Sequence, residues 1–203
     1  MSELLLILAA IAILVVLIRA FRGKKREEAE EIKEEDVFEE RSLDEIDTGG
    51  VLSILGTDYV VEERNRYTSA GNEWYDAKLT GDDNEAWWLG WDDSDDVSLT
   101  AEVDFAALEV SPDDLEAIAD EGQGQIEYDG ETYVLSEASE ANYHRGGDPQ
   151  GDQMYYWDFH DSAGEKLVGV VLWASQSYNA FVGSILPRSQ VEILRASGDD
   201  DVD

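Results

Sequence analysis

Hydrophobic and polar positions divide the chain into three textures. From Leu4 to Ile18 the run "LLLILAAIAILVVLI" holds no polar residue, and Ala20 and Phe21 continue it past Arg19. At 1.5 Å per residue, about eighteen such residues span about 27 Å as a helix, enough for a thin hydrocarbon core if Arg19 snorkels. The cluster "RAFRGKKR" stands directly after the run, while "MSE" before it has no cation. A cleaved signal peptide would show the opposite polarity and a small-residue cleavage site. The pattern predicts a single-pass anchor over residues 1–23, N-terminus outside, with the basic end held in the cytoplasm. Residues 24–47 follow as a charged, partly helical spacer in which Ile32, Val37 and Phe38 are too few to bury a face.

After "DTGG" the period changes. Short runs rich in Val, Ile, Tyr and Trp, each closed by Gly, Asp or Asn, predict strands at about 51–55, 59–67, 73–80, 86–92 and 97–104. "SPDDLEAIAD" reads as a short helix near 112–119, with Ser111 as cap, Pro112 in the first turn and Asp113 and Asp114 at the positive end of the dipole. The strand pattern then resumes at about 125–128, 132–143, 153–161, 166–174 and 184–194. The second series resembles the first. "ILGTDYVVEERNRY" is matched by "IEYDGETYVLSEASEANY", "EWYDAKL" by "MYYWDFHD", and "AWWLGW" by "LVGVVLW". The predicted fold is mainly β, an antiparallel sandwich or rolled barrel over 48–196. It comprises two similar meanders (about 51–104 and 125–194) joined by the helix, with an acidic tail at 197–203.

Alternation assigns the densest aromatic stretch, "AWWLGWDDSDD". Trp87, Leu89 and Trp91 share one face of a strand and Trp88 takes the other. The first face is expected in the core, and Trp88 is expected to be covered as well. Asp92, Ser94 and Asp96 have calcium-loop spacing, but Val97 stands where that loop needs glycine and Val103 where it needs an acid. The segment is read as a hairpin turn and no metal is expected.

Charge narrows the partners. The 203 residues carry 48 Asp and Glu against 14 Lys and Arg, a formal net charge of −34. Such a field repels nucleic acid, so none is expected as a partner. A salt-rich cytoplasm and an ordinary acidic proteome would both yield this balance. There is no cysteine, which excludes disulfides and thiolate chemistry. His144 and His160 form no metal pair, and no phosphate loop, GxSxG elbow or HExxH stretch is present. No catalytic residue and no cofactor is assigned, and the chain is read as a non-enzyme.

From about Thr48 to Leu194 the residues resemble the bacterial domain-of-unknown-function family numbered 4178. The resemblance is carried by "GTDYVVEERNRY", "EWYDAKL" with Trp74, Trp88–Leu89 before an acidic turn, "IEYDGETYVLSEASEANY", "YYWDFHDSAGEKL" and Trp173 followed later by "VEIL". This chain departs from the pattern in its acidity and in having Trp87 and Trp91 beside Trp88. The resemblance implies a β-fold, an N-terminal span and, by gene association alone, a role in the cell envelope.

The expected function is a membrane-tethered β-domain that docks a protein partner at the cytoplasmic face of the cell membrane. The alternative is a small-molecule or carbohydrate-binding module with an aromatic cleft between the meanders, which Tyr67 would also line. Candidate contact residues for either are Trp74, Tyr75, Trp88, Tyr155, Tyr156 and Trp157.

Overall fold

In the computed structural model of the chain, residues 41–82 and 85–196 are described. The membrane span expected within 1–23, the spacer as far as residue 40 and the tail 197–203 lie outside the described residues. Among the described residues no helix is long and apolar enough to cross a membrane.

Among the described residues, eleven strands form one antiparallel sheet, accompanied by one α-helix. The first five are β1 (Val51–Ile54), β2 (Thr57–Ser69), β3 (Asn72–Thr80), β4 (Ala86–Trp91) and β5 (Asp96–Val103). A 3-10 turn at Phe105–Leu108 leads to helix α1 (Pro112–Glu121). Then come β6 (Gln125–Tyr128), β7 (Glu131–Arg145), β8 (Asp152–His160), β9 (Lys166–Trp173), β10 (Tyr178–Pro187) and β11 (Val191–Arg195). Their order is β11-β1-β2-β3-β4-β5-β10-β9-β8-β7-β6, and β2 also pairs with β7, so the path from β2 through β5 and β10 to β7 returns on itself.

The helix starts as its residues dictate. Ser111 Oγ accepts from the Asp114 N–H while the Asp114 carboxylate accepts from the Ser111 N–H, a reciprocal cap on the first turn. Gly122 ends it in the left-handed conformation (φ 63°).

Correspondence between the two runs of strands extends to backbone detail. Both β1–β2 and β6–β7 turn through two residues of positive φ, Leu55–Gly56 and Asp129–Gly130, the signature of a type I′ hairpin. A bulge follows in each, at Val61/Glu63 in β2 and Leu135/Glu137 in β7. The Val61 N–H donates to Gly50 O and the Leu135 N–H to Gly124 O, both at 2.9 Å and at the same offset along the chain. A bulge sharpens local twist, and here it turns the second half of each long strand toward its counterpart. At the opposite junction, where β5 meets β10, Gly183 lies against Leu99 O and the Thr100 backbone so closely that a Cβ would collide with them.

One face of the sheet buries two separate cores. The first gathers Leu52, Ile54, Val61, Leu79, Leu89 and Trp91, the second Ile126, Trp157, Phe159, Val168 and Val170. Each has a lid. Leu115 and Ile118 of α1 cover the second core, while Leu43 and Ile46 cover the first, at 2% and 0% exposure. This corrects the expected spacer boundary, because the folded unit begins at Ser42 rather than near residue 48. Two apolar residues in an acidic stretch do not reveal a lid by periodicity, yet each fills a site that the sheet cannot close itself.

The last expected strand, 184–194, is also corrected. Its place is taken by β10, which begins at Tyr178, and β11, with a 3-10 turn at Arg188–Gln190 between them. Pro187 cannot donate to a ladder, and the Arg188 N–H turns aside to Asp95 O at 2.8 Å. β11 then runs antiparallel to β1, with Leu52 opposite Ile193 and Ser53 opposite Glu192.

Candidate functional site

The second face of the sheet carries the remaining aromatics together with the half-buried acids Asp76 and Asp158. Beyond the bulges, alternation places Glu63, Asn65 and Tyr67 of β2, Trp74 and Asp76 of β3, Glu137 and Tyr143 of β7, Tyr156 and Asp158 of β8 and Trp173 of β9 on it. Trp74 meets Tyr156 edge-on at 5.5 Å although β2 and β7 separate their strands, so this face is concave. Trp74 also stacks on Tyr67 (5.4 Å, 8°), and Tyr143 packs on Tyr67 (5.3 Å) and Trp173 (5.0 Å). These rings fill the concavity by packing on one another.

Hydroxyls and amides of the same face tie down its carboxylates. Asp76 accepts from the Tyr67 hydroxyl (2.6 Å) and from Asn65 Nδ2 (2.9 Å). Burial raises the Asp76 pKa, and those two bonds pull against the rise. Burial and the nearby Asp76 charge lift Tyr67 well above the phenolic range. Burial, then the Glu63 and Asp76 charges, push Tyr143 up to about 12. Glu63 in turn binds Arg145 (2.8 Å to Nη2). On β8, the Tyr156 hydroxyl donates to Glu137 Oε1 at 2.6 Å.

Asp158 lies directly across from Glu137 in the β7–β8 register. Among the described residues its carboxylate accepts no hydrogen bond, although its backbone carbonyl takes one from Ser136 Oγ. The residue keeps some solvent contact, but protein crowds the carboxylate enough to govern its charging. Burial first, then the Glu137 charge, raise its pKa to about 7.

The six expected contact residues do not form one surface. Trp74, Trp88 and Tyr156 lie on the concave face. Tyr75, Tyr155 and Trp157 face the cores instead, as strict alternation from Trp74 and Tyr156 requires. Tyr75 stacks on Trp91 with Arg64 above it, Tyr155 packs on Trp157, and Trp157, 2% exposed, donates from Nε1 to Leu115 O at 2.9 Å. Asp76, Asp158 and Glu137 escaped the sequence reading because acids in a strand are ordinarily on its solvent side. Their one visible signal is position: Asp76 and Asp158 each stand two residues from an aromatic of the same face, Trp74 and Tyr156.

Trp91 is core as expected, 4% exposed, with Nε1 within 3.3 Å of Asp44 Oδ1. Trp87 is half-buried against the same core, its Nε1 buried without a partner among the described residues. Trp88 is half-buried too, edge-on to Phe181 at 5.3 Å, rather than covered by the helix or a second sheet. Trp91→Ala should therefore cost about 3–5 kcal/mol, and Trp88→Ala roughly half as much, read from urea midpoints at constant m.

Among the described residues, no group of three or more His, Asp or Glu could hold a metal ion. In "DDSDD", Asp92 accepts from the Ser94 N–H at 2.8 Å within the β4–β5 turn. His144 is satisfied inside the fold, with Nε2 at 3.2 Å from Thr68 Oγ1 and Nδ1 at 2.8 Å from Asp148 O.

Fold and face together define an all-antiparallel β-domain with a self-filled aromatic and acidic interior. The chain matches the family model described as a domain of unknown function (DUF4178) over residues 47–188, and it belongs to that family. No curated protein and no solved structure matches the chain.

Proposed function

We propose that the chain is a membrane-tethered, non-enzymatic domain, two like meanders rolled into one barrel, that docks a protein partner at the cytoplasmic face of the membrane. The apolar run before "RAFRGKKR" supports the tether. The observation that carries docking over ligand binding is how the aromatics are spent. Tyr67, Trp74, Tyr143, Tyr156 and Trp173 fill the concave face against one another, while Leu55, Val60, Val134 and Leu194 stand exposed on the outside. A small molecule or sugar would have to displace rings that already satisfy each other, whereas a protein partner needs only the outer surface.

The test is photo-crosslinking in native membranes from probes placed at several exposed positions, with protease added outside intact cells. Specific protein adducts and a protease-resistant β-domain are the expected results. Digestion of the domain from outside would reverse the topology, and absence of adducts at every position would remove the docking role.

A further inference from the structure

The two like halves differ at one edge. In the first, the outer edge of β1 is occupied by β11, which pairs with Val51 and Ser53. In the second, the corresponding edge of β6 ends the sheet among the described residues. The type I′ hairpin fixes which groups that edge presents. Tyr128 and Glu131 close the turn as a hydrogen-bonded pair, so Glu127 and Gln125 fall in the non-bonded pairs and aim their N–H and C=O away from β7. The bond from the Leu135 N–H to Gly124 O confirms this phase. Glu127 and Gln125 thus correspond to Ser53 and Val51, the residues that receive β11.

A groove of about 490 Å³ adjoins this edge, between β6 and α1. Val110 also lines it, just before the helix cap at Ser111. Val110 and Ile118 contribute apolar surface over the buried Leu108 and Ile126, and the charged residues lining the groove are Glu109, Asp114, Glu121 and Glu127, with no Lys or Arg. Unpaired edge amides beside an apolar floor favour an extended segment, and the acidic rim selects its charge.

We infer that the outer edge of β6 receives an extended segment of a partner protein, alternating apolar and basic residues, which adds antiparallel as a further strand. β11 is the internal template, with Val191 and Ile193 facing the first core and Glu192 and Leu194 facing away. The inference rests on the docking reading above and assigns its surface.

Amide hydrogen exchange on the full chain tests it, with the synthetic peptide acetyl-KVKIKLK-amide and its glutamate counterpart acetyl-EVEIELE-amide as probes. The Gln125 and Glu127 amides should exchange fast alone and at least tenfold more slowly with the basic peptide, and not with the acidic one. Glu127→Pro removes an outward N–H that the fold does not use and should weaken the peptide at least tenfold. Should that variant lose its fold, the double variant Glu109→Lys, Glu121→Lys leaves the strand intact and should weaken it similarly. Slow exchange at both amides without peptide, dimerisation through β6, or protection confined to β11 would overturn the inference. In native membranes, a crosslinker at position 127 that fails while others capture partners would sink this surface and leave docking standing. Failure at every position would sink docking itself.

Discussion

A chain that begins at Asp47 should fail to fold, whereas one that begins at Arg41 should fold. Leu43 and Ile46 are the lid of the first core, and Asp44 accepts the Trp91 indole N–H beneath them. The loss is larger than two side chains, because it uncovers Leu52, Leu79 and Trp91 to water. Ile46→Ala alone should cost about 2–5 kcal/mol, and removal of both residues rivals the roughly 5–15 kcal/mol that stabilises a whole domain. Urea unfolding followed by tryptophan fluorescence distinguishes the two starts. A cooperative transition of undiminished midpoint in the shorter chain would show that the lid is dispensable.

Lowering the pH from 8 to 5.5 should make the domain more stable, and Asp158→Asn should abolish most of that gain. The folded state raises the Asp158 pKa to about 7, above the roughly 3.9 of an unfolded aspartate. Folding therefore takes up a proton between those values, and stability falls as pH rises through that window and levels off above it. The burial and the facing Glu137 carboxylate set a penalty of about 2–4 kcal/mol at pH 8, which the amide removes. Asp76 moves in the same direction and adds to the slope. Glu137, Tyr156, Tyr67, Tyr143, Glu63 and Arg145 are further ionisable groups of this face, and Asp158→Asn leaves all of them in place. Asp114, Glu131 and Asp161 are held below the carboxylate range by their hydrogen bonds, so their contributions are lost only at more acid pH. Thermal melts of both proteins at fixed ionic strength supply the comparison, since salt also screens the general repulsion of so acidic a chain. Parallel pH profiles for the two would refute the assignment.

Strand identity was legible wherever alternation and turn chemistry agreed. "ILGTDYVV" and "IEYDGETYV" both carry glycine at the second turn position, and both became I′ hairpins. The helix was legible from Ser111 and Pro112, whose chemistry is local. What escaped depended on distant partners. "SYNAFVG" looks like a loop until β5 and β9 supply its ladders, and Leu43 looks like spacer until a core needs a lid. The candidate site was half legible for a related reason. Alternation separates Trp74 from Tyr75 with certainty, but only the pairing of β2 with β7 shows that both faces of this sheet are covered.

The position of β11 bears on how the molecule is made. Its partner β1 emerges from the ribosome early, yet the strand that completes its edge is synthesised last among the described elements, after the whole second meander. Contacts of such long sequence separation form slowly, and until they form the first core has an open seam. The first meander therefore cannot finish folding co-translationally on its own. A nascent chain stalled before Val191 should remain a substrate for chaperones and proteases, however much of its sheet is already in register.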